Sequence, residues 1–304
     1  MPQSNDRLLL VGDNPFHNIS HLSQERARAR TEGPSNPKFA SNLILTSMQN
    51  GANGFTFSVS ETTLSILKEL EANESISHLR LFPVVPYAFE YVRLATQLGG
   101  IPGLAKKFAA DTVKSRNIKA IGSGLKGVIT TDPKSLMKTY LSYELSRIKS
   151  SVNTKINVES ILFHQLITDM ALALDLDWLF KEYIQYLSNQ EITPGFNTGN
   201  FVYLVNKFKE WKIDLSKVLI LAPFNKVGFQ MTPSIEECEK ALGLLPSPNV
   251  IAMSVLASGS VKPKEAADYI AGLPNVRGVA LGVSKQSQAQ DTFHLFKQSF
   301  ESKI

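Results

Sequence analysis

Residues 249–293 read NVIAMSVLASGSVKPKEAADYIAGLPNVRGVALGVSKQSQAQDTF and contain two consecutive strand–turn–helix patterns. The apolar run 250–256 predicts a strand covered on both faces, and residues 276–283 repeat that pattern. Each run ends in small residues and leads into a helical pattern, the first of which begins at Pro263. The stretch therefore predicts parallel strands joined by helices, with backbone N–H groups in the loops available for an anion.

The same alternation of strand and helix patterns extends back through the chain. Eight strands are predicted, each followed by a helix, at residues 7–11, 54–59, 79–85, 158–163, 192–196, 218–222, 250–256 and 278–281. Eight such pairs predict an α/β fold, a single (β/α)8 (TIM) barrel domain over residues 1–304. A helical insertion is predicted at about residues 87–131, between strands three and four. We assign the short Gly-rich segment 126–130 to this insertion and not to the ring.

The composition favours a soluble globular protein. The chain has 304 residues, 43% hydrophobic and 19% charged, and its net charge of +5 comes from scattered basic residues. A nucleic-acid partner is not expected, because such a partner needs a concentrated basic face. No apolar run is long enough for a membrane helix, and the single Cys238 cannot form an internal disulfide. We therefore expect a cytoplasmic protein with a small-molecule substrate and without nucleic-acid or membrane partners.

Three of the five histidines follow the first or the fourth predicted strand, at the barrel face where chemistry is expected. Asp13, His17 and His164 could bind a divalent metal (zinc, manganese or iron) or act as acid and base. We predict His164, Asp13 and Glu61 as catalytic residues. Asp13 also lies in a turn-forming run, and for His21 a loop or capping role is favoured.

The loops after the last two strands are the predicted phosphate site. The residues predicted to contact the substrate or its phosphate are Ser258, Gly259, Gly282, Ser284, Lys285, Asn225, Asn197 and Gln165. Glycine and serine are also common in ordinary strand-to-helix loops, so a purely structural role remains open for the two loops.

Four stretches give the chain a loose resemblance to the aldo-keto reductase type of barrel. They are 51–57 (GANGFTF), 163–164 (FH), 256–259 (LASG) and 282–285 (GVSK). The resemblance implies that the last two loops hold the phosphates of NADP. Catalysis in that family uses an aspartate and a tyrosine after strand two, a lysine at the end of strand three and a histidine after strand four. Here Ser58 occupies the aspartate position, residues 59–65 lack tyrosine, strand three ends without lysine, and only His164 matches.

The sequence therefore predicts an enzyme that acts on a small phosphorylated substrate through metal-assisted acid/base chemistry, as a hydrolase or lyase. One alternative is an NADP-dependent oxidoreductase in which another residue, such as Tyr87, replaces the missing tyrosine. Another is a barrel that binds a ligand without catalysing a reaction.

Overall fold

Parallel strands form a closed barrel in the computed structural model, which describes residues 7–17, 36–72, 76, 78–86, 96–97, 99, 132–152 and 157–302. The strands are β1 (Leu8–Gly12), β2 (Gly54–Ser58), β3 (Arg80–Val85), β4 (Asn157–Val158), β5 (Ser160–Phe163), β6 (Thr193–Asn197), β7 (Leu219–Pro223), β8 (Val250–Met253) and β9 (Val276–Gly282). Eight of them pair in the order β2-β1-β9-β8-β7-β6-β5-β3, and β2–β3 pairing closes the ring. The predicted TIM-type barrel is confirmed.

The two-residue strand β4 lies outside this ring of eight. It pairs with the start of β3, at Arg80 and Leu81, and β5 pairs with the end of β3. The register shifts by one residue between the two pairings, at Glu159, so β4 and β5 together occupy the predicted fourth strand. Because β3 pairs directly with β4 and β5, the ring is complete without residues 126–130, which lie outside the described residues, as does most of the predicted insertion.

Nine α-helices occur among the described residues: α1 (Pro37–Gln49), α2 (Glu61–Glu71), α3 (Pro133–Ser151), α4 (Gln165–Ala173), α5 (Asp177–Ser188), α6 (Phe201–Glu210), α7 (Ile235–Gly243), α8 (Pro263–Gly272) and α9 (Gln286–Glu301). All except α4 were expected from the hydrophobic periodicity. Helix α4 lacks a polar outer face, since Leu166 and Met170 are exposed. Apolar residues therefore occur on both its exposed and its buried faces, which explains the omission. None of the helices that the structure describes combines the length and apolar character needed to cross a membrane.

Alternate residues of each strand face either the barrel lumen or the helices. The lumen is filled by Leu8, Leu10, Phe82, Val84, Leu162, Leu219, Leu221 and Ile251. Following the same alternation to the carboxyl ends of the strands places Ser58, His164 and Asn197 on the lumen side of the mouth. The strand period thus sets which side chains can form a site there.

Strand β8 ends at Met253, so the predicted end at residue 256 is wrong. Ser254, Ala257 and Ser258 have φ values of 54°, 43° and 55°, and the backbone turns out of the extended conformation. Residues 257–259 form a 3-10 turn. The apolar residues Val255 and Leu256 extended the predicted strand, but they pack as loop residues.

The first and last strands are neighbours in the ring. Strand β1 pairs with β9 over five residues, from Leu8 opposite Gly278 to Gly12 opposite Gly282. A Cβ atom at Gly278 would lie 2.2 Å from the carbonyl oxygen of Leu8, so this close approach requires glycine. The pairing places the loop after β1 beside the loop after β9.

Candidate active site at the barrel mouth

Asp13 connects the ends of β1 and β2. Its Oδ2 accepts the backbone N–H of Ser58 at 2.6 Å and lies 3.1 Å from Nε2 of His17. A 3-10 turn, Asn14–His17, begins with the Phe16 N–H donating to the Asp13 carbonyl at 2.8 Å and returns His17 to the carboxylate. The run Asp-Asn-Pro therefore forms a turn, and this turn produces a carboxylate–imidazole pair that is about nine-tenths buried.

His164 caps α4 directly after β5. Its Nδ1 accepts the backbone N–H of Leu166 at 3.2 Å, so the neutral ring carries its proton on Nε2. Burial lowers the pKa of His164 below 6.5, and the carboxylates of Asp13 and Asp169 partly oppose this shift. At neutral pH the ring is therefore an uncharged hydrogen-bond donor through Nε2.

Asn197, at the end of β6, has a buried Oδ1 that lacks a hydrogen-bond partner in the described part of the chain. The next two residues are bound to α4. Oδ1 of Asp169 accepts from the Thr198 hydroxyl at 2.5 Å, and Oδ2 accepts from the Gly199 N–H at 3.1 Å. The amide oxygen of Asn197 therefore lies at a strand end that is followed by a hydrogen-bonded loop, and it needs a donor, which a bound ligand could supply.

Asp169 is the site residue that the sequence analysis missed. It lies on α4, and without that helix nothing placed Asp169 opposite the loop after β6. The available signal was its position five residues after His164, which is one to two turns along a helix that begins there. Gln165, a predicted substrate contact, packs on the same loop, since a Cβ atom at Gly199 would lie 2.6 Å from its Nε2.

The loops after β8 and β9 do not present the N–H donors that the sequence predicts. The Gly259 N–H donates to the Leu256 carbonyl at 2.7 Å, because the 3-10 turn folds it back on the chain. The Ser284 N–H donates to Oε1 of Gln288 at 3.1 Å. Both groups already have acceptors within the protein, and an anion would have to displace these acceptors to bind here.

The backbone N–H groups that could bind an anion here lie after these loops, in the first turns of α8 and α9. Lys262 and Lys285 occupy the capping positions, and no described side chain caps either helix. The first-turn N–H groups of an uncapped helix lack intrahelical acceptors, and the helix dipole makes this end partly positive. Gly282 faces the loop after β1, since a Cβ atom at Gly282 would lie 3.2 Å from Cγ of Pro15. The buried Oγ of Ser258 has no partner among the described residues.

Two predicted site residues have roles elsewhere in the structure. The Asn225 side chain donates to the Phe229 carbonyl and accepts from the Phe229 N–H, both at 2.8 Å, and so closes its own loop. Glu61 pairs with Arg147 on α3 at 2.9 Å, and its side chain is 83% exposed. This geometry gives no support for Glu61 as a second carboxylate of the site.

A metal centre made by Asp13, His17 and His164 also lacks support. Over the ranges that the structure describes, no three His, Cys, Asp or Glu side chains are placed to share a metal ion. Asp13 and His17 bond to each other, and Nδ1 of His164 is used by the Leu166 N–H. The candidates His21 and Tyr87 lie outside the described residues.

No family model matches the sequence, and no curated protein sequence matches it. A structural match exists to a crystal structure from Pseudomonas aeruginosa, of a protein provisionally assigned as an aldo-keto reductase. The TM-score is 0.56 and the sequence identity 10%, over 95% of this chain and 90% of the other. The closed barrel of eight parallel strands is shared, and the loose resemblance to aldo-keto reductase-type barrels is confirmed at the level of the fold.

Proposed function

We propose that the protein is an NADP-dependent oxidoreductase acting on a small carbonyl compound or alcohol. The observation that carries this proposal is the pair of uncapped helix N-termini after the last two strands, with Lys262 and Lys285 at the capping positions. Loops in this place hold phosphate in many barrels of this fold. The structural likeness to a provisionally assigned aldo-keto reductase is consistent with NADP, the cofactor that the sequence resemblance to that family implies.

The mouth residues suit the binding and protonation of a carbonyl group. When bound, the nicotinamide supplies a hydride to the carbonyl carbon. The neutral His164 donates a hydrogen bond through Nε2 to the carbonyl oxygen, on which negative charge develops. Asn197 accepts a hydrogen bond from an N–H or O–H group of the ligand through its unpaired Oδ1. These two contacts orient the reacting group over the lumen.

The proton donor in this proposal is His17. No tyrosine follows β2 among residues 59–65, and β3 ends in Val85 without a lysine. His17 is the described imidazole held by a carboxylate, since Oδ2 of Asp13 lies 3.1 Å from its Nε2. A carboxylate–imidazole pair is an arrangement suited to general acid/base catalysis, so we assign the transfer of the proton to the carbonyl oxygen to this pair.

A second candidate is an acid/base enzyme, a hydrolase or lyase, on a phosphorylated substrate. The Asp13–His17 pair favours it, because this pair can transfer protons without any nicotinamide. The uncapped helices would then bind the substrate phosphate instead of the cofactor phosphate. A divalent metal is not required for this chemistry.

NADPH binding separates the two candidates. Fluorescence titration should show NADPH binding that weakens by roughly tenfold, about 1.4 kcal/mol, in Lys285→Ala, since one charge-assisted contact is lost. Lys68→Ala removes the same charge from the last turn of α2 and should bind like the parent. NADH, which lacks the additional phosphate, should respond less to either variant.

If the parent does not bind NADPH, the oxidoreductase proposal fails. Calorimetry with inorganic phosphate, on the parent and the same two variants, then tests the second candidate. Phosphate binding that is weakened only in Lys285→Ala supports it. The absence of both NADPH and phosphate binding removes both proposals and leaves a barrel with another ligand or none.

A further inference from the structure

The loop after β6 is held by a single carboxylate from the neighbouring helix. Asp169 accepts hydrogen bonds from both residues that follow Asn197, through the Thr198 hydroxyl at 2.5 Å and the Gly199 N–H at 3.1 Å. The two bonds use different oxygens of one carboxylate. Because one side chain accepts from two successive residues at once, this contact is well suited to fix a loop.

The contact extends through Thr198 to the start of α6. Oγ1 of Thr198 donates to Asp169 and accepts the Asn200 N–H at 2.9 Å. The Thr198 N–H donates to the Leu221 carbonyl on β7 at 3.0 Å. Asp169 therefore fixes the Thr198 side chain, while the hydrogen bond to β7 fixes the Thr198 backbone. No described side chain caps α6 at Asn200, so Thr198 supplies the local bond there.

The loop also lies directly against α4, at Gly199. A Cβ atom at Gly199 would lie 2.6 Å from Nε2 of Gln165 and 3.4 Å from Oδ2 of Asp169. The first turns of α4 follow His164 immediately, and Gly199 follows Asn197 by two residues. The Asp169 contacts thus connect the helix that His164 caps to the loop that directly follows Asn197.

We propose that Asp169 is a positioning residue that holds Asn197, with its unpaired Oδ1, toward the mouth and in fixed relation to His164. The proposal rests on the proposed function only in treating Asn197 as a ligand contact. Asp169 itself does not contact the ligand. Its role is to keep the amide acceptor of Asn197 in place before binding, so that a ligand does not have to order the loop.

Three substitutions separate this role from general stability. Asp169→Asn can accept from the Gly199 N–H and donate to the Thr198 hydroxyl, so it preserves both contacts without the charge. Asp169→Ala removes both contacts, and Thr198→Val removes only the hydroxyl. Asp175→Asn is the matched control, because Asp175 is an exposed carboxylate just after α4 whose described partner is Lys207.

The first readout needs no ligand. Amide hydrogen exchange at Gly199 and Asn200 should be about tenfold faster or more in Asp169→Ala, because the loop opens without its carboxylate. In Thr198→Val, hydrogen exchange of the Asn200 amide should be faster than in the parent. The two side-chain N–H resonances of Asn197, assigned with Asn197→Ser, should move toward solvent-exposed values in Asp169→Ala. Asp169→Asn should restore parent behaviour in all three measurements, and Asp175→Asn should match the parent.

The second readout is NADPH affinity, which should fall in Asp169→Ala and recover in Asp169→Asn. If the parent does not bind NADPH, the proposed function fails. The amide hydrogen exchange rates and the Asn197 side-chain resonances still test whether Asp169 is a positioning residue. Parent-like exchange and Asn197 resonances in Asp169→Ala would overturn the inference. It would equally be overturned if Asp169→Asn failed to restore them while folding normally. If Asp169→Ala does not fold, Thr198→Val alone must show faster exchange at Asn200, and its failure to do so overturns the inference.

Discussion

Arg277 on β9 and Glu159 between β4 and β5 form an ion pair at 3.0 Å although they are 118 residues apart in the sequence. Strands β9 and β5 lie on opposite sides of the ring. Both residues lie at register irregularities, where an extra residue interrupts the pairing of neighbouring strands. The pair therefore spans the barrel near the amino ends of the strands, away from the mouth.

Breaking this pair from one side should destabilise the barrel. Arg277→Met leaves the Glu159 carboxylate without its partner, and we expect a loss of roughly 2–4 kcal/mol in the free energy of unfolding. This lies below the cost for a fully buried pair, because the Glu159 side chain is 21% exposed. Urea unfolding measures the change. The double variant Glu159→Gln/Arg277→Met should recover most of the loss, and an equal loss in both would contradict the explanation.

Asp13→Ala should also reduce stability, because it removes the acceptor of the partly buried Ser58 N–H and the partner of His17. An unsatisfied buried donor costs about 1–3 kcal/mol. Asp13→Asn retains one acceptor oxygen and should lose less. Unfolding midpoints in urea compare the three proteins, and equal midpoints for the parent and Asp13→Ala would show that the carboxylate is not needed to join β1 and β2.

The substitution His164→Gln should change the pH dependence of the free energy of unfolding. The folded protein lowers the pKa of His164 below 6.5, so as the pH falls below that value the unfolded chain binds the proton first. The parent should therefore lose stability as the pH falls below 6.5, and His164→Gln should lose less. Urea unfolding across this range is the measurement, with His294→Gln as a reference for the loss of one imidazole. Parallel curves for the parent and His164→Gln would contradict the lowered pKa.

The single thiol should react slowly in the folded protein. Burial, with the neighbouring Glu237 and Glu239, raises the pKa of Cys238 to about 11, and its Sγ donates to the Thr232 carbonyl. A thiol-specific reagent should label the native protein much more slowly than the urea-unfolded protein, and the labelling rate should follow the unfolding rate. Cys238→Ser gives the background signal. Rapid labelling of the native protein would show that the thiol is accessible.

The sequence was sufficient for the ring because strand and helix periods repeat along the chain. The predicted third strand, residues 79–85, is observed as β3, Arg80–Val85. The prediction failed where burial did not follow these periods. Val255 and Leu256 are apolar but belong to a turn, and α4 carries apolar residues on its exposed face.

The site could be predicted only as a set of residue types at strand ends. Strand alternation places His164 and Asn197 at the mouth, and the short spacing from Asp13 to His17 allows their contact. Hydrogen bonding between residues distant in the sequence decided the rest. The role of Asp169 becomes clear only from its hydrogen bond with Thr198. The Gly259 N–H already has an acceptor because Ala257 and Ser258 adopt positive φ values and turn the chain back on itself. Residue preferences do not indicate these conformations for alanine and serine.

The pairing of β1 with β9 has a consequence for synthesis on the ribosome. One edge of the strand at residues 8–12 cannot form its backbone hydrogen bonds until residues 276–282 have been synthesised. Until then β1 and β8 each have an unpaired edge, and open strand edges favour association between chains. The closing contact has a sequence separation of about 270 residues, so ring closure is a slow, late step. Nascent chains that stop before residue 276 should therefore be prone to aggregation, even though most of the barrel has been made.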